Sequence, residues 1–358
     1  MRIGIICPYS LTIPGGVQGQ VLGLARKLRE AGHATRVLGP CDGPPPDSGV
    51  TPLGNSLPTA ANGSMAPIAP DVPCALRTIR ALRDEAFDIL HLHEPLAPGP
   101  TVTALFMDQT PMVGTFHAAG GSLAYDLLNG PVRRLRRRMA QTFAVSADAA
   151  EMAGDALGGH FEVLFNGVEV DRCADAEPWP TDGPTIFFVG RHEPRKGLGV
   201  LVEAMNHLPA DVRLWIAGDG PETDRLRAVG AGDPRIEWLG RIGEDEKLSR
   251  IRGADVCCAP SLRGESFGMV LLEGMACSTP VVASDIPGYS KVARAGENAV
   301  LVPPGDGAVL AIGIEKVLCN PDLADRLVAN GLERADEFSM RRLADRYRDI
   351  YRDVLEAS

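Results

Sequence analysis

The segment DVCCAPSLRGESFGMVLLEGMACSTPVVASD, residues 255–285, contains two short apolar runs separated by a loop and a longer apolar stretch. The runs DVCCAP and PVVAS have the length and residue types of buried parallel strands, and the stretch between them predicts a helix. Gly264 and Gly268 place a turn before that helix, which we expect to begin near Phe267 or Gly268. Strand, crossover helix and strand form one βαβ unit, so the segment predicts a parallel α/β sheet.

Similar strand-like runs alternate with amphipathic stretches along most of the chain, in two series. The first series starts at RIGIIC (residues 2–7) and the second at TIFFVGR (residues 185–191), after the Pro-rich stretch DAEPWPTDGP. This alternation predicts an α/β chain with two doubly wound, Rossmann-like domains, at residues 1–174 and 175–338, and a final amphipathic helix at 339–358. Since ligands bind at the carboxyl ends of such strands, the cleft between the domains is the expected site.

Composition excludes several classes of function. The chain has 358 residues, a net charge of -10 and 5% aromatic residues, which argues against a nucleic-acid partner. No apolar run approaches the ~20 residues of a membrane span, and the N-terminus reads as a strand without a signal peptide. The eight cysteines show no zinc-ligand spacing, so we expect buried, reduced thiols in a cytoplasmic protein.

The loop PGGVQGQV, residues 14–21, follows the first strand and opens the first helix. Gly15 and Gly16 would let the backbone approach a ligand, and a helix N-terminus attracts an anion. The loop matches neither G-x-G-x-x-G nor a Walker A motif, so a dinucleotide or P-loop site is disfavoured. A tight strand-to-helix turn without a ligand is the alternative interpretation.

The loop GRHEPRKG, residues 190–197, follows the first strand of the second series. It supplies Arg191, Arg195 and Lys196, and such cations suit a diphosphate, Arg through its fork and Lys as a point charge. A solvated basic turn is the alternative. The position after a strand favours the functional interpretation.

Two acids in the opening segment, Glu265 and Glu273, flank the predicted start of its helix. A carboxylate beside a phosphate site is explained if it accepts hydrogen bonds from hydroxyl groups next to the phosphate. A nucleoside diphosphate sugar carries such hydroxyls at both ends of its diphosphate. The alternative for Glu265 is an acid that favours the helix dipole. His117 ends the strand GTFH, where a ligand-binding role and a structural role are both open.

Several motifs resemble those of one known family. PGGVQ, GTFH, GRHEPRKG, IAGDGP and the Glu-x7-Glu element ESFGMVLLE occur in the order and spacing of retaining GT-B glycosyltransferases of family 4. The resemblance covers nearly the whole chain. It extends to the actinobacterial phosphatidylinositol mannosyltransferases through MRIGIICPYSLTIPGGVQ, HLHEPLAP, NGS and RGESFG. It implies a GT-B fold whose C-terminal helix, 339–358, crosses back to the first domain.

The resemblance also implies the site. The Gly16 backbone meets the donor diphosphate, which Arg191 and Lys196 neutralise, and Glu265 holds the transferred sugar while Glu273 holds the ribose. His117 lies beside the reacting sugar. The implied catalytic residues are His117, Arg191, Lys196 and Glu265. The implied donor-binding residues are Gly15, Gly16, Arg191, Lys196, Ile242, Lys247, Glu265, Ser266, Phe267, Gly268, Met269 and Glu273, and the acceptor-binding candidates are Tyr9, Gln18 and Asn62.

The implied chemistry is same-face transfer that retains configuration and needs no metal and no obligatory cofactor. GDP-mannose is the favoured donor, with a UDP-sugar as the alternative. The implied acceptor is a lipid or polyol such as phosphatidylinositol, but three features of that pattern are missing. Thr12 stands where the pattern of those enzymes has an acid, no lysine follows shortly after His117, and no arginine follows NGS. A binding protein of this fold without transfer activity is a further alternative; an NAD-dependent oxidoreductase lacks its glycine motif.

Two arginine-rich segments of the first series remain outside that site. Arg77, Arg80 and Arg83 recur every three residues along a predicted helix, and RRLRRR at 133–138 adds five arginines. We hypothesise that they contact an anionic membrane surface, which would place the protein at the inner face of the plasma membrane. Solvated helix faces are the alternative. The residues assigned to this patch are Arg77, Arg80, Arg83, Arg133, Arg134 and Arg137.

Overall fold

The computed structural model describes residues 1–61, 64–107, 110–117, 134–265 and 267–358. Two compact units divide the chain: unit 1 contains Met1–Gly167 and Met340–Ser358, and unit 2 contains Val168–Ser339. The boundary expected at residue 174 is therefore seven residues too late. The N–H of Val168 donates to the carbonyl of Phe338 at 2.9 Å, and Cys173 is buried in the core of unit 2, which fixes this stretch to unit 2.

The described residues of unit 1 contain the strands β1 Arg2–Ile6, β2 Ala34–Gly39, β3 Val50–Pro52, β4 Leu57–Ala61, β5 Ser64–Ile68, β6 Ile89–His93, β7 Met112–Phe116, β8 Gln141–Ala144 and β9 Glu162–Val163. A parallel sheet joins most of them in the order β3-β2-β1-β6-β7-β8-β9. The strands β4 and β5 pair as an antiparallel hairpin outside this sheet.

The helices of unit 1 cover the faces of this sheet because their apolar residues recur at helical spacing. Val21, Leu24 and Leu28 of the first helix are buried against residues of β1 and β2. Among the residues that the structure describes, the helices that precede unit 2 include α1 Gly16–Glu30, α2 Val72–Glu85, α3 Pro100–Met107 and α4 Ala147–Leu157.

The described residues of unit 2 contain the strands β10 Thr185–Val189, β11 Arg213–Ala217, β12 Ile236–Gly240, β13 Val256–Ala259, β14 Val281–Ser284 and β15 Val300–Val302. They form a six-stranded parallel sheet with the order β12-β11-β10-β13-β14-β15. Counted from β10, this is the doubly wound order 3-2-1-4-5-6, in which the chain reverses direction across the sheet between β10 and β13. The helices are α5 Val170–Asp175, α6 Leu198–Ala204, α7 Thr223–Gly230, α8 Glu244–Gly253, α9 Met269–Ala276, α10 Gly307–Leu318 and α11 Pro321–Glu337.

The C-terminal helix α12, Met340–Glu356, returns to unit 1 and packs against α1. Its buried face carries Tyr347, Ile350, Tyr351 and Val354, whereas Leu343 is only partly buried. The Tyr351 hydroxyl lies 2.7 Å from a buried histidine of β6, so the helix adds polar as well as apolar contacts to the first sheet.

The cysteines follow the expectation with one exception. Seven have buried side chains, but Cys319 is exposed because it caps the C-terminus of α10 at the surface of unit 2. Within the described ranges, no helix combines the length and the hydropathy that crossing a bilayer requires.

Candidate functional site

In unit 2, the loops that follow β10 and β13 meet where the sheet changes direction. The N–H of Leu262 donates to the carbonyl of Arg195 at 2.8 Å, which ties the two loops together. Gly197 has a φ of +68°, and a Cβ on it would lie 1.9 Å from the carbonyl oxygen of Pro260. Only glycine allows this close approach. Ligands of doubly wound sheets bind at this place.

These loops bring Lys196 and Glu265 together. The Lys196 Nζ lies 2.6 Å from Oε1 of Glu265, and Arg195 approaches the same oxygen at 3.4 Å. The Ser261 hydroxyl donates to this oxygen at 3.0 Å, and the Tyr289 hydroxyl in turn donates to Ser261 at 2.8 Å. All of these contacts converge on Oε1, and no described residue donates to Oε2 of Glu265.

Glu193 holds the two arginines of the β10 loop. Its Oε1 lies 2.9 Å from Nε of Arg191, and its Oε2 lies 2.8 Å from Nε of Arg195. An Arg guanidinium carries five N–H donors, so it can bind more than one acceptor at a time. The predicted cations are therefore present at the strand end, and Glu193 fixes their orientation.

The helix α9 begins as predicted, directly after Gly268, which has a φ of +90°. Met269 is half-buried, but the Phe267 side chain is buried against Phe338, with ring centroids 5.3 Å apart. Phe267 therefore points into the core, and only its backbone faces the loop. Ser266, which was assigned to the donor site, lies outside the described residues.

One turn into α9, Glu273 pairs with Lys247 of α8, with Oε1 and Nζ 3.1 Å apart. Burial disfavours a charge on Lys247, but Glu273 and Glu244 outweigh it and raise the pKa of the ammonium. No described residue donates to Oε2 of Glu273, so this acid repeats the arrangement of Glu265. Ile242, one of the expected donor-binding residues, is partly buried and packs against the core of unit 2.

The corresponding strand ends of unit 1 are those of β1 and β6. Gly15 caps α1 and Gly16 is its first residue, as the glycine loop predicts. Gln18 is buried, and its amide donates to the carbonyl of Ser10 at 3.3 Å, so this amide serves the loop itself. Tyr9 is half-buried, and burial raises the pKa of its hydroxyl. Asn62, the third acceptor candidate, lies outside the described residues.

His117 follows β7 and contacts the end of β6. Its Nε2 lies 2.8 Å from Nδ1 of His93, and its backbone N–H donates to Oε1 of Glu94 at 2.7 Å. Glu94 is buried and has a φ of +47°, an uncommon value for a residue other than glycine. The neighbouring His91 is buried between Tyr351 and Thr115, each 2.7 Å from one of its ring nitrogens.

Replacing His91 by Gln should make the protein less sensitive to acid. Burial lowers the pKa of His91 to about 3, so at lower pH the unfolded chain takes up a proton that the folded chain does not. The contribution of His91 to the free energy of unfolding is fully present above the pKa of an unfolded histidine, about 6.5. It is lost as the pH falls towards about 3, by about 1.4 kcal/mol per pH unit for each such histidine. Urea unfolding between about pH 6 and pH 4 measures how steeply the free energy of unfolding depends on pH. This slope should be smaller by the same amount in His91→Gln. Equal slopes in both proteins would show that His91 charges in the folded state.

Five of the six arginines assigned to a membrane patch lie among the described residues, and all five are exposed. Arg77, Arg80 and Arg83 are exposed on α2, although Arg77 also donates to the carbonyl of Leu53 at 3.3 Å. Arg134 and Arg137 are exposed, and Arg133 lies outside the described residues. Arg138 donates to the carbonyl of Phe106 at 3.0 Å and so ties the second arginine-rich segment to α3.

Sequence reasoning missed the residues that orient the predicted ones. Ser261 and Tyr289 hold Glu265, Glu193 holds the arginines, and His93 with Glu94 holds His117. Each of these residues lies at or after the carboxyl end of a strand, as does the predicted residue that it holds. This position in the sequence is the signal that could have identified them. Over the described ranges, no cluster of three or more His, Cys, Asp or Glu side chains has a metal-binding arrangement.

Comparison with known proteins agrees with this architecture. Residues 14–172 match the family Glycosyltransferase Family 4, and residues 171–334 match Glycosyl transferases group 1. The structure of HepE from Anabaena in complex with UDP and glucose aligns with a TM-score of 0.74 at 19% identity, covering 99% of this chain and 100% of that chain. Sucrose-phosphate synthase from Thermosynechococcus elongatus aligns with a TM-score of 0.72 at 21% identity, covering 99% of each chain. The two Rossmann-like units are therefore those of a GT-B glycosyltransferase.

Two relatives cover the chain at higher identity. The phosphatidyl-myo-inositol mannosyltransferase of Mycobacterium leprae is 39% identical, over 99% of this chain and 97% of that protein. The enzyme of the same name from Mycolicibacterium smegmatis is 37% identical, over 99% of this chain and 94% of that protein. The chain belongs to glycosyltransferase family 4.

Proposed function

We propose that the chain transfers mannose from GDP-mannose to phosphatidylinositol or a related lipid, with retention of configuration and without a metal. The observation that carries this proposal is a pair of acids, Glu265 in the loop before α9 and Glu273 one turn into that helix. In Glu265 and in Glu273, one carboxylate oxygen is bound by a lysine and the other receives no bond from a described residue. The names of the relatives supply the proposed donor sugar and acceptor.

Glu265 would bind hydroxyl groups of the transferred sugar through its Oε2. Its Oε1 is fixed by Lys196 and by Ser261, so the direction of the second oxygen is set before a ligand arrives. A charged acceptor forms stronger hydrogen bonds with hydroxyls than a neutral one does. The side chain is 12% exposed, so water competes little for this oxygen.

Glu273 would bind the ribose hydroxyls, about one helical turn further along α9. Lys247 holds its Oε1, and this ammonium stays charged because Glu273 and Glu244 raise its pKa against the effect of burial. The same contact would place Lys247 and Ile242 near the base. A base carbonyl oxygen accepts from an ammonium, and guanine and uracil both carry one.

Arg191, Lys196 and the first N–H groups of α9 would stabilise the departing diphosphate. An ammonium has three donors, so Lys196 can keep Glu265 and still reach a phosphate oxygen. Cations aimed at a leaving group lower the barrier most when they are fixed in advance, as Glu193 fixes Arg191. In same-face transfer, a phosphate oxygen of the leaving group takes the proton of the attacking hydroxyl, and no protein nucleophile is required.

Thermal denaturation with GDP, UDP, ADP and their sugar conjugates tests the donor. A ligand present at about 100 times its Kd stabilises the folded state by about 2.7 kcal/mol, so the preferred nucleotide gives the largest rise in Tm. We expect GDP and GDP-mannose to lead. A larger shift with UDP-sugars would reject GDP-mannose, and binding without product across lipid and polyol acceptors would favour a protein that only binds the nucleotide.

We further propose that α2 and α3 contact an anionic membrane from the side of unit 1, as a lipid acceptor requires. At about 100° per residue, Val72, Leu76, Arg80 and Arg83 fall on one face of α2. Val72 and Leu76 are 70% and 62% exposed, and Phe106 of the adjoining α3 is 58% exposed. A surface that joins apolar and basic side chains is typical of interfacial membrane binding.

The double variant Arg80→Ser/Arg83→Ser should bind anionic vesicles about tenfold or more weakly than the wild type, since each cation near such a surface contributes about 1 kcal/mol. Sedimentation with phosphatidylglycerol-containing and purely phosphatidylcholine vesicles measures this. Arg213→Ser, in unit 2, is the control for the loss of a positive charge. Equal binding of the wild type to both kinds of vesicle would contradict the electrostatic part of the proposal.

A further inference from the structure

His93 and His117 form a hydrogen-bonded pair whose proton is placed by its surroundings. His91 and His93 lie on the same face of β6 with ring centroids 4.3 Å apart, and the His117 ring stacks on His93 at 5.1 Å. His93 Nδ1 and His117 Nε2 are 2.8 Å apart. Since Glu94 accepts the backbone N–H of His117, both the ring and the main chain of His117 are held by the end of β6.

The rings are neutral near pH 7. Burial lowers the pKa of His91 and His117 to about 3 and lowers that of His93 well below its usual value. A neutral imidazole carries one N–H, so the bond between His93 and His117 has one of two directions. If His93 Nδ1–H donates, the proton of His117 is on Nδ1. If His117 Nε2–H donates, Nδ1 of His117 is bare.

The far nitrogen of His93 distinguishes these two states. Its Nε2 is buried and has no hydrogen-bond partner in the described part of the chain, and the residue is only 3% exposed. When His93 donates from Nδ1, this Nε2 is a bare acceptor; in the other state it is an N–H without an acceptor. Buried N–H groups without partners are rarer than under-used acceptors because their desolvation is not compensated.

A small cavity adjoins the two rings. It has a volume of about 10 Å³, which is the lower limit for one water, and both His93 and His117 line it. A water held there would donate to a bare Nε2 in the first state or accept from Nε2–H in the second, so the preference for the first state applies to the dry cavity.

We propose that His93 is a positioning residue that donates from Nδ1 to Nε2 of His117 and thereby makes His117 a hydrogen-bond donor, through Nδ1, to a ligand oxygen. No described residue bonds to Nδ1 of His117. The ligand atom that it meets is therefore an acceptor, such as a hydroxyl or phosphate oxygen, and not a hydroxyl hydrogen. The expected effect on catalysis rests on the proposed function, whereas the position of the proton does not.

Nitrogen-15 NMR of histidine-labelled protein near pH 7 tests the proton directly. The chain has seven histidines, and His117→Gln and His93→Leu variants assign the two rings by loss of their signals. We expect His117 to show a protonated Nδ1 and an unprotonated Nε2. The reverse pattern, or a charged ring, would overturn the proposal whether or not the protein is active.

Two substitutions of His93 separate positioning from packing once a donor substrate is known. The side-chain amide introduced by His93→Asn places an N–H near the position of Nδ1, whereas His93→Leu fills space without donating. We expect kcat within about threefold of wild type for His93→Asn and about tenfold lower for His93→Leu, since one hydrogen bond contributes about 1 kcal/mol. Equal losses in two folded variants, with unchanged KM, would overturn the positioning role. Lack of activity in the wild type would reject the proposed function but leave the NMR result standing.

Discussion

Lys196→Ala should lower kcat by about 10²- to 10³-fold with the preferred donor, the range found when one group that stabilises transition-state charge is removed. The Lys196 Nζ lies 2.6 Å from Glu265 and belongs to the same loop as Arg191. Its removal takes away a cation that would face the departing diphosphate and also removes one of the groups that hold Oε1 of Glu265. We expect KM to rise less than kcat falls, because the charge on the leaving group grows in the transition state.

Arg213→Ala is the matched control for this loss of charge. Arg213 begins β11, at the opposite edge of the sheet from the strand-end loops, and pairs with the exposed Asp182 at 3.5 Å. Initial-rate kinetics should give wild-type values for it, and an intermediate kcat for Lys196→Arg, whose fork does not reproduce the point charge. A kcat within about threefold of wild type for Lys196→Ala would remove this residue from the catalytic site.

Gly288→Ala should both destabilise unit 2 and lower activity. A Cβ on Gly288 would lie 1.8 Å from the carbonyl oxygen of Glu265 and 2.6 Å from its carbonyl carbon. Backbone cannot yield as a flexible side chain can, so the loop that carries Glu265 must move away from Tyr289 and Ser261. Such overpacking costs about 1–3 kcal/mol, or roughly 4–8 °C in Tm for a unit of this size at about 2 kcal/mol.

Gly232→Ala is the control for this substitution. A Cβ there would meet no atom within 4 Å, and the residue is exposed in the same unit. We expect its Tm and kcat to stay near wild type, since surface substitutions change stability by about 0.5 kcal/mol or less. If the two variants unfold at the same temperature and are equally active, Gly288 does not fix the position of Glu265.

The sequence predicted the features that depend on local pattern. The alternation of apolar runs predicted two doubly wound units. The glycines of the loop before α9 predicted the start of that helix to within one or two residues of Met269. The position of Glu265, Lys196 and Arg191 after strands could be predicted because parallel strands end at a common edge. Their mutual distances could not, because these depend on how the β10 and β13 loops pack.

Contacts between distant segments lay beyond the sequence. Tyr289 follows β14 and reaches Ser261 after β13, and only the pairing of these strands brings the residues together. The unit boundary was misplaced because Val168 joins unit 2 through the carbonyl of Phe338, a contact without a local signal. Phe267 was predicted to bind the donor, but its side chain is buried against Phe338.

The return of α12 to unit 1 has a consequence for the order of events during synthesis. Tyr347 and Tyr351 supply hydrogen bonds to Thr115 and His91, yet they are translated only after all of unit 2. Domains usually fold from the N-terminus as they leave the ribosome. Here the strands of the first sheet leave the ribosome early, but His91 lacks a hydrogen-bond partner until the last nineteen residues have been synthesised. A chain stalled within unit 2 therefore carries an incomplete first unit.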